Sequence, residues 1–258
     1  KIEQVLVEAK PDLVLVYGDT NSTLAGALAA VKMHVPVAHV EAGLRSFNMR
    51  MPEEVNRILT DRVSTWLFAP TSEAVSHLKR ESIADERIFE VGDVMFDVAV
   101  KHGERARTLS SGLLDRLGVS EKAFVLVTIH RAENTDEPQR LWAIVDGLIA
   151  ASASQKIVWP LHPRTRAALA KMQVLDRLAA HVVLVDPLGY LDIVRLEQAA
   201  SVIATDSGGV QKEAFFHGTP CVTLRDETEW VELVAAGWNR LQPPTDASLV
   251  CSAILESI

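Results

Sequence analysis

Residues 202 to 213 read Val-Ile-Ala-Thr-Asp-Ser-Gly-Gly-Val-Gln-Lys-Glu. The run from Val202 to Ala204 is too apolar for a half-exposed strand and suits a buried parallel one. From Val210 to His217 the sequence reads as helix, and Asp206-Ser207-Gly208-Gly209 joins the two. A strand that ends in Ser-Gly-Gly and opens a helix presents free backbone N–H groups at the positive helix end, which suits a diphosphate. Gly208 and Gly209 let phosphates approach the backbone with no Cβ in the way. Glu213, one helical turn further on, offers a carboxylate to ribose hydroxyls; it reads equally as a first-turn acid stabilised by the helix dipole. Taken alone, Ser207-Gly208-Gly209 is also a plain flexible turn.

The same alternation of strand and helix runs outward from this stretch. Apolar runs stand at Leu13 to Tyr17, Val35 to Val40, Trp66 to Phe68, Phe124 to Ile129, Ile157 to Leu161 and Val182 to Val185. Helical segments lie between them at Ser22 to Met33, Glu53 to Val63, Pro138 to Ala150 and Arg164 to Lys171. This order predicts an α/β fold of parallel sheets with right-handed crossovers. The polar segment from Asp97 to Ser120, with Lys101, Arg105 and Arg107, separates two such series. The domain change is placed near Gly92, giving Rossmann-like domains over 1–92 and 93–258. Polar residues follow the strands: Asp19, Glu41 and Thr71 in the first half, His130, His162, Asp186 and Asp206 in the second. In open α/β sheets the ligand crevice lies outside the carboxyl ends of the strands. Two such domains facing each other would pool the carboxylates of one with the histidines of the other, although each residue taken singly also reads as a helix cap.

Composition narrows the classes. The chain has 258 residues with 26 Lys plus Arg against 34 Asp plus Glu, a formal charge of −8. That balance argues against wrapping nucleic acid or an anionic membrane surface, so a phosphate-bearing partner must be met locally. No uncharged apolar stretch reaches membrane-spanning length; the run from Thr20 to Val31 is short and interrupted by Asn, Ser and Thr. Cys221 and Cys251 stand far apart with no CxxC or His-rich partner, so neither a disulfide framework nor a metal site is expected, and a reducing, cytoplasmic setting is. There is no GxGxxG after the early strands and no GxxxxGK[ST], which lowers the case for a dinucleotide cofactor or ATP hydrolysis. The chain opens at Lys1 inside an amphipathic helix with Ile2, Val5, Leu6 and Ala9 at helical spacing, and an N-terminal piece is expected to precede it.

Eight segments together carry a resemblance: Tyr17-Gly-Asp-Thr20, His39-Val-Glu-Ala-Gly-Leu-Arg45, Met51-Pro-Glu-Glu54, Val91-Gly-Asp93, Ile129-His-Arg-Ala-Glu-Asn134, Leu161-His-Pro163, Asp206-Ser-Gly-Gly209 and Arg225-Asp-Glu-Thr-Glu-Trp230. In order and spacing they resemble the UDP-N-acetylglucosamine 2-epimerase family across nearly the whole chain. The resemblance implies a GT-B-like pair of Rossmann-type domains with a UDP-sugar between them. It implies inversion at C2 of UDP-GlcNAc to give UDP-ManNAc, a precursor for surface polysaccharides, by elimination of UDP to 2-acetamidoglucal and re-addition. No redox or metal cofactor is then expected. The family's members are commonly homodimers, which points to Glu53 to Val63 or Thr71 to Arg80 as contact helices.

By the same resemblance Asp19, Glu41 and Glu53 match three catalytic carboxylates and His130 the catalytic histidine, assigned to the leaving diphosphate. Without the family the alternatives are a helix cap for Asp19, an ion pair with Arg45 for Glu41 and a first-turn acid after Pro52 for Glu53. Ser207, Gly208 and Gly209 match the phosphate-binding turn and Glu213 the ribose-binding acid. Leu188 and Ile193 align with base contacts, beside Tyr190, which reads equally as a half-buried packing residue; Arg131 and His162 are candidates for phosphate or regulatory contacts, and His162 before Pro163 reads equally as structural. Trp230 stands where some members place an Arg, and is taken as a substrate contact that removes a fixed charge. The family's opening strand with its Gly-Thr-Arg-Pro-Glu turn has no counterpart here, so the first domain is expected to lack its first strands. Three other readings stay open: a hydrolysing epimerase, a UDP-2,3-diacetamido-uronate epimerase, and a catalytically dead UDP-binding module.

Overall fold

Strands form where short apolar runs find a helix to cover them, and this happens twice along the chain. The computed structural model describes residues 1–258, which divide into two units, Lys1–Val94 and Met95–Ile258. The first unit runs α1 (Ile2–Ala9), β1 (Val14–Tyr17), α2 (Asn21–Lys32), β2 (Val37–Val40), α3 (Pro52–Val63), β3 (Trp66–Ala69), α4 (Ser72–Arg80), a 3₁₀ turn at Asp85–Arg87 and β4 (Ile88–Glu90). Its sheet has the order β1-β2-β3-β4, all parallel. Thr20 starts α2 by accepting the Thr23 N–H on its hydroxyl at 3.3 Å. Ala27 and Ala30 of α2 then pack on Val16 and Val37.

The second unit continues with α5 (Val94–Leu109), α6 (Leu113–Leu117), β5 (Phe124–Thr128), α7 (Ala132–Thr135), α8 (Pro138–Ala151), β6 (Lys156–Pro160), α9 (Pro163–Lys171), α10 (Leu175–Ala179) and β7 (Val183–Val185). It ends with α11 (Tyr190–Ala199), β8 (Val202–Thr205), α12 (Gly208–Phe216), β9 (Cys221–Thr223), α13 (Val231–Ala235), β10 (Asn239–Leu241) and α14 (Ala247–Glu256). The six parallel strands lie in the order β10-β9-β8-β5-β6-β7, the doubly wound arrangement whose order reverses between β5 and β8.

Both faces of this second sheet are apolar, which is why its strands read as continuous hydrophobic runs. Val125, Val127, Ile157 and Trp159 point to one side, against Leu141, Ile144 and Leu148 of α8 and Val250 and Ile254 of α14. Phe124, Leu126, Val158 and Ile203 point to the other, against Leu113, Leu114, Leu196 and Ala214. Each buried Leu, Ile, Val or Phe of this kind contributes about 1.5–3 kcal/mol. No helix is long and apolar enough to cross a membrane.

Two features differ from expectation. The polar segment from Asp97 to Ser120 is largely helical, because α5 buries a stripe of Ala99, Gly103 and Ala106 whose small side chains give little hydrophobic signal. The strands β4, β9 and β10, of 3 residues each, fall outside the apolar runs read from the sequence.

Helix α8 meets α14 at Gly147, where a Cβ would lie 2.7 Å from the Val250 Cβ. A Gly147→Val substitution therefore overpacks this contact by about 1–3 kcal/mol, more than the helix propensity gained, and a lower urea midpoint is expected.

Candidate active site

The carboxylates of the first unit are set by backbone geometry at the ends of β1 and β2. Gly18 adopts a left-handed conformation, φ +64°, and an added Cβ would lie 3.3 Å from Glu41 Oε2, so glycine lets the two turns close on each other. Glu41 itself has φ 74°, a conformation costing about 1–3 kcal/mol in a residue other than glycine and concentrated at functional sites. Its N–H and that of Ala42 both donate to the Phe68 carbonyl at 3.1 Å, which fixes the turn. Burial first, then the charges of Asp19 and Asp93, raise the Glu41 carboxyl from 4.5 to about 7; Arg57 and His39 pull the other way.

Asp19 accepts the Arg57 Nη2 donor at 2.6 Å, and Asn56 donates to the Asp19 carbonyl at 2.9 Å. Thus α3 holds the β1 turn. Glu53 and Glu54 divide the work of the Met-Pro-Glu-Glu segment. Glu54 is fully buried and accepts the Ser46 and Phe47 N–H groups, both at 2.9 Å, anchoring the loop before α3. Glu53 is half-buried in the first turn and its side chain bonds to nothing in the chain, leaving it available to a ligand.

A buried charge cluster lies behind these residues. Asp61 pairs with His39 Nδ1 at 2.7 Å and Arg45 Nη1 at 2.8 Å and accepts the Gly43 N–H at 3.1 Å. His39 Nε2 lies 2.8 Å from the Gly18 carbonyl, so the ring bridges Asp61 and the β1 turn. Arg45 continues to Glu81 at 2.6 Å. Removing one member of such a buried set typically costs about 3–5 kcal/mol. The cluster also answers two alternatives from the sequence: Arg45 is committed to Asp61 and Glu81 rather than to Glu41, and the cap of α2 is Thr20 rather than Asp19.

In the second unit the ends of β5 and β8 meet at the reversal of strand order. Asp206, fully buried, accepts the His130 N–H at 3.0 and 3.1 Å on its two oxygens, the Arg131 N–H at 3.0 Å and the Asn134 side-chain amide at 3.1 Å. His130 Nδ1 lies 3.3 Å from the same carboxylate. Burial lowers the His130 pKa, Asp206 opposes this, and Arg131, His162 and Arg164 lower it further. Leu188 and Ile193 line one recess of 160 Å³ with Thr128, His130, Pro160 and His162. His162 caps α9, its Nδ1 accepting the Arg164 N–H at 3.2 Å.

The Ser-Gly-Gly turn opens α12. Ser207 Oγ caps the Val210 N–H, and the N–H groups of Gly208 and Gly209 make no bond within the chain. A Cβ at Gly208 would lie 2.2 Å from a Glu229 carboxylate oxygen, so any larger residue there must displace the Glu229 side chain. At Gly209 a Cβ would meet nothing closer than 3.5 Å. Glu213 faces Tyr190: burial raises the Glu213 carboxyl, and Tyr190 opposes that shift. Trp230 requires a correction. It is only 2% exposed, and its indole N–H donates to the Gly208 carbonyl at 2.9 Å. It steadies the turn from behind instead of offering a surface to substrate, and Lys212 Nζ sits 4.1 Å from its ring centroid.

Sequence reasoning assigned no role to Asp206, Arg57, Asp61 or Glu54. Asp206 adjoins the glycine turn, which was a usable signal; the others declare themselves only through burial. No group of three or more His, Cys, Asp or Glu is placed to hold a metal ion.

Strand order and the turns at its reversal define a doubly wound α/β protein. The chain belongs to the UDP-N-acetylglucosamine 2-epimerase family, whose model matches residues 1–257. It is 55% identical over 244 residues to a UDP-2,3-diacetamido-2,3-dideoxy-D-glucuronate 2-epimerase of Pseudomonas aeruginosa, covering 93% of this chain and 66% of that protein. It is 44% identical over 251 residues to a UDP-N-acetylglucosamine 2-epimerase of Methanocaldococcus jannaschii, covering 93% and 67%. The crystal structure of the M. jannaschii UDP-GlcNAc 2-epimerase in complex with UDP-GlcNAc and UDP matches with a TM-score of 0.91 at 42% identity, over 99% of this chain and 71% of that one. The Neisseria meningitidis enzyme bound to UDP-GlcNAc matches with a TM-score of 0.88 at 34% identity, over 98% and 69%. The chain spans about two thirds of the length of the curated relatives it matches.

Two outcomes are expected. Gly209→Ala leaves the chain's own packing intact, so a fall of about tenfold or more in UDP affinity by calorimetry, about 1.4 kcal/mol, reports a ligand at this turn; unchanged affinity places the phosphates elsewhere. Glu41→Gln removes a group whose folded pKa of about 7 lies above its unfolded 4.5. The native protein loses stability as pH rises across that window and the variant does not. Urea unfolding is expected to show no difference at pH 4 and a gain of up to ~3 kcal/mol for the variant at pH 8.

Proposed function

We propose that the protein is an isomerase that interconverts the C2 epimers of a UDP-linked 2-acetamido sugar, UDP-GlcNAc and UDP-ManNAc. The observation that carries this reading is Glu41, a carboxyl pushed up to about 7 beside Asp19 on a strained turn, in a chain of this family. The C2 proton of such a sugar has no adjacent carbonyl to make it acidic. Elimination removes the difficulty: a carboxylate takes the C2 proton, the C–H electrons form the C1–C2 double bond, and the C1–O bond breaks with its pair leaving on UDP. Re-addition reverses these changes after protonation of C2 from the other face. A carboxyl near 7 suits either proton transfer at neutral pH. Glu41 supplies one of the two groups, and Glu53, unpartnered in the chain, or Asp19 the other.

The leaving diphosphate is received by the Gly208 and Gly209 N–H groups with His130 alongside, where developing negative charge meets fixed donors. Glu213 accepts the ribose hydroxyls, and Leu188 and Ile193 flank the uracil. The pathway requires no redox cofactor. We assign the protein to the cytoplasm as a homodimer, supplying precursors for surface polysaccharide. One observation favours a second substrate: the relative at 55% identity is named for UDP-2,3-diacetamido-2,3-dideoxy-D-glucuronate, which would be turned over by the same elimination.

Proton NMR of the protein in D2O with each UDP-sugar in turn tests these readings. Deuterium at C2 together with the C2 epimer is expected, with a pH limb near 7 that Glu41→Gln abolishes while lowering kcat by about 10²–10⁴. Free ManNAc in place of the epimer identifies a hydrolysing enzyme. UDP binding with no exchange on either sugar overturns the proposal and leaves a nucleotide-binding module.

A further inference from the structure

Two buried polar groups of the second unit take no part in the reaction just described. Glu197 of α11 is fully buried, and neither of its carboxyl oxygens has a hydrogen-bond partner. His217, at the C-cap of α12, leaves Nε2 buried and unpartnered 3.8 Å from Glu197 Oε2. A bare carboxylate in such a place is strongly disfavoured, and the group keeps its proton instead.

Helical spacing shows what these groups stand behind. Tyr190 and Glu197 lie seven residues apart on α11, and Glu213 and His217 four apart on α12, so each pair shares one helix face. The two helices pack together, and Tyr190 and Glu213 face each other closely enough for each to shift the other's ionisation. The four side chains form one seam, with the ribose acid at one end and the unpartnered pair at the other. Helix α5 closes it. His102 meets the Tyr190 ring edge-on with centroids 5.8 Å apart, and Gly103 passes so near that a Cβ would lie 3.6 Å from the His217 ring.

The charges facing the seam agree with this geometry. Burial, then the Glu213 charge, raises Glu197. Burial, then Arg107 and Lys122, lowers His217 to about 4. Cys221 on β9 stays a thiol, pushed up to about 12 mainly by burial. Burial thus disfavours the carboxylate of Glu197 and the imidazolium of His217 alike, so their 3.8 Å approach lacks the charges of an ion pair.

We propose that Glu197 is a positioning residue for the ribose-binding acid: it stores one proton behind Glu213, leaving Glu213 the single negative charge of the seam, and so links nucleotide binding to proton binding. This rests on the assignment of Glu213 to the ribose. Bound UDP fixes Glu213 as a carboxylate and adds the diphosphate charge at the N-terminal end of α12, and this added negative charge on the seam tightens the hold of Glu197 on its proton.

Calorimetric titration of the protein with UDP from pH 6 to pH 9, in buffers of different ionisation enthalpy, reads this directly. The native protein is expected to take up a proton on binding at the alkaline end, its affinity falling there with a slope that approaches tenfold per pH unit. Glu197→Gln, of the same shape but with nothing to ionise, is expected to lose that uptake and flatten the fall. Equal proton uptake in both proteins overturns the proposal. A ligand-free measurement separates this from the nucleotide assignment. Because the Glu197 pKa is raised in the folded state, native stability falls as pH rises above the ordinary carboxyl range. The urea midpoints of Glu197→Gln and Glu197→Leu should therefore pull away from native between pH 5 and pH 8. Parallel midpoints overturn the stored proton. Absence of UDP binding in native and variant alike overturns the ribose assignment, and with it the link to the nucleotide.

Discussion

The Asp206 carboxylate is the constraint on which the second unit's site depends. It is fully buried at the end of β8, yet its partners are backbone and side-chain donors just beyond β5: His130, Arg131 and Asn134. In a sheet whose order reverses between these strands, the chain leaves them in opposite directions and a crevice opens. One acid spanning that crevice fixes His130, and through the next residues the Ser-Gly-Gly turn, in a common frame. Hydrogen bonds to a charged acceptor each contribute about 1.5–3 kcal/mol, so the frame is stiff where the proposed chemistry needs it.

The first unit solves the same problem with Asp61. Here too a buried carboxylate gathers donors from several turns: His39 from β2, the Gly43 N–H, and Arg45. Through His39 it reaches the Gly18 carbonyl, so the turn that carries Asp19 is tied to the strand that leads into Glu41. The strain stored at Glu41 is sustained by this scaffold. A carboxyl raised to about 7 is itself unfavourable in the folded state, and stability is exchanged for a group that can move a proton near neutral pH.

Much of this was legible before any coordinates. The paired apolar runs with helices between them announced α/β layers; in the second unit's sheet the strands are buried on both faces and have no polar side to alternate, whereas β1 of the first unit leaves Leu15 and Tyr17 exposed. The eight segments carrying the family resemblance named the acids and the glycine turn in order. Less legible were α5, whose buried stripe of Ala99, Gly103 and Ala106 hides beneath a polar surface, and the strands β4, β9 and β10. Trp230 was misjudged for a related reason: a residue type reveals its chemistry but not the direction in which it points.

By itself, then, the sequence determined the layer type, the family and the residue types at the strand ends, because these follow from local periodicity and from short motifs. Tertiary structure alone decided which acids are free and which are anchored. Glu53 and Glu54 are neighbours of one kind, yet one is open and the other holds a loop. Glu197 and Glu213 are both helix glutamates, yet one is fully buried with neither oxygen bonded while the other is only half-buried. The physical reason is that charge state and availability depend on burial and on partners distant in the chain, and these exist only once the elements have packed.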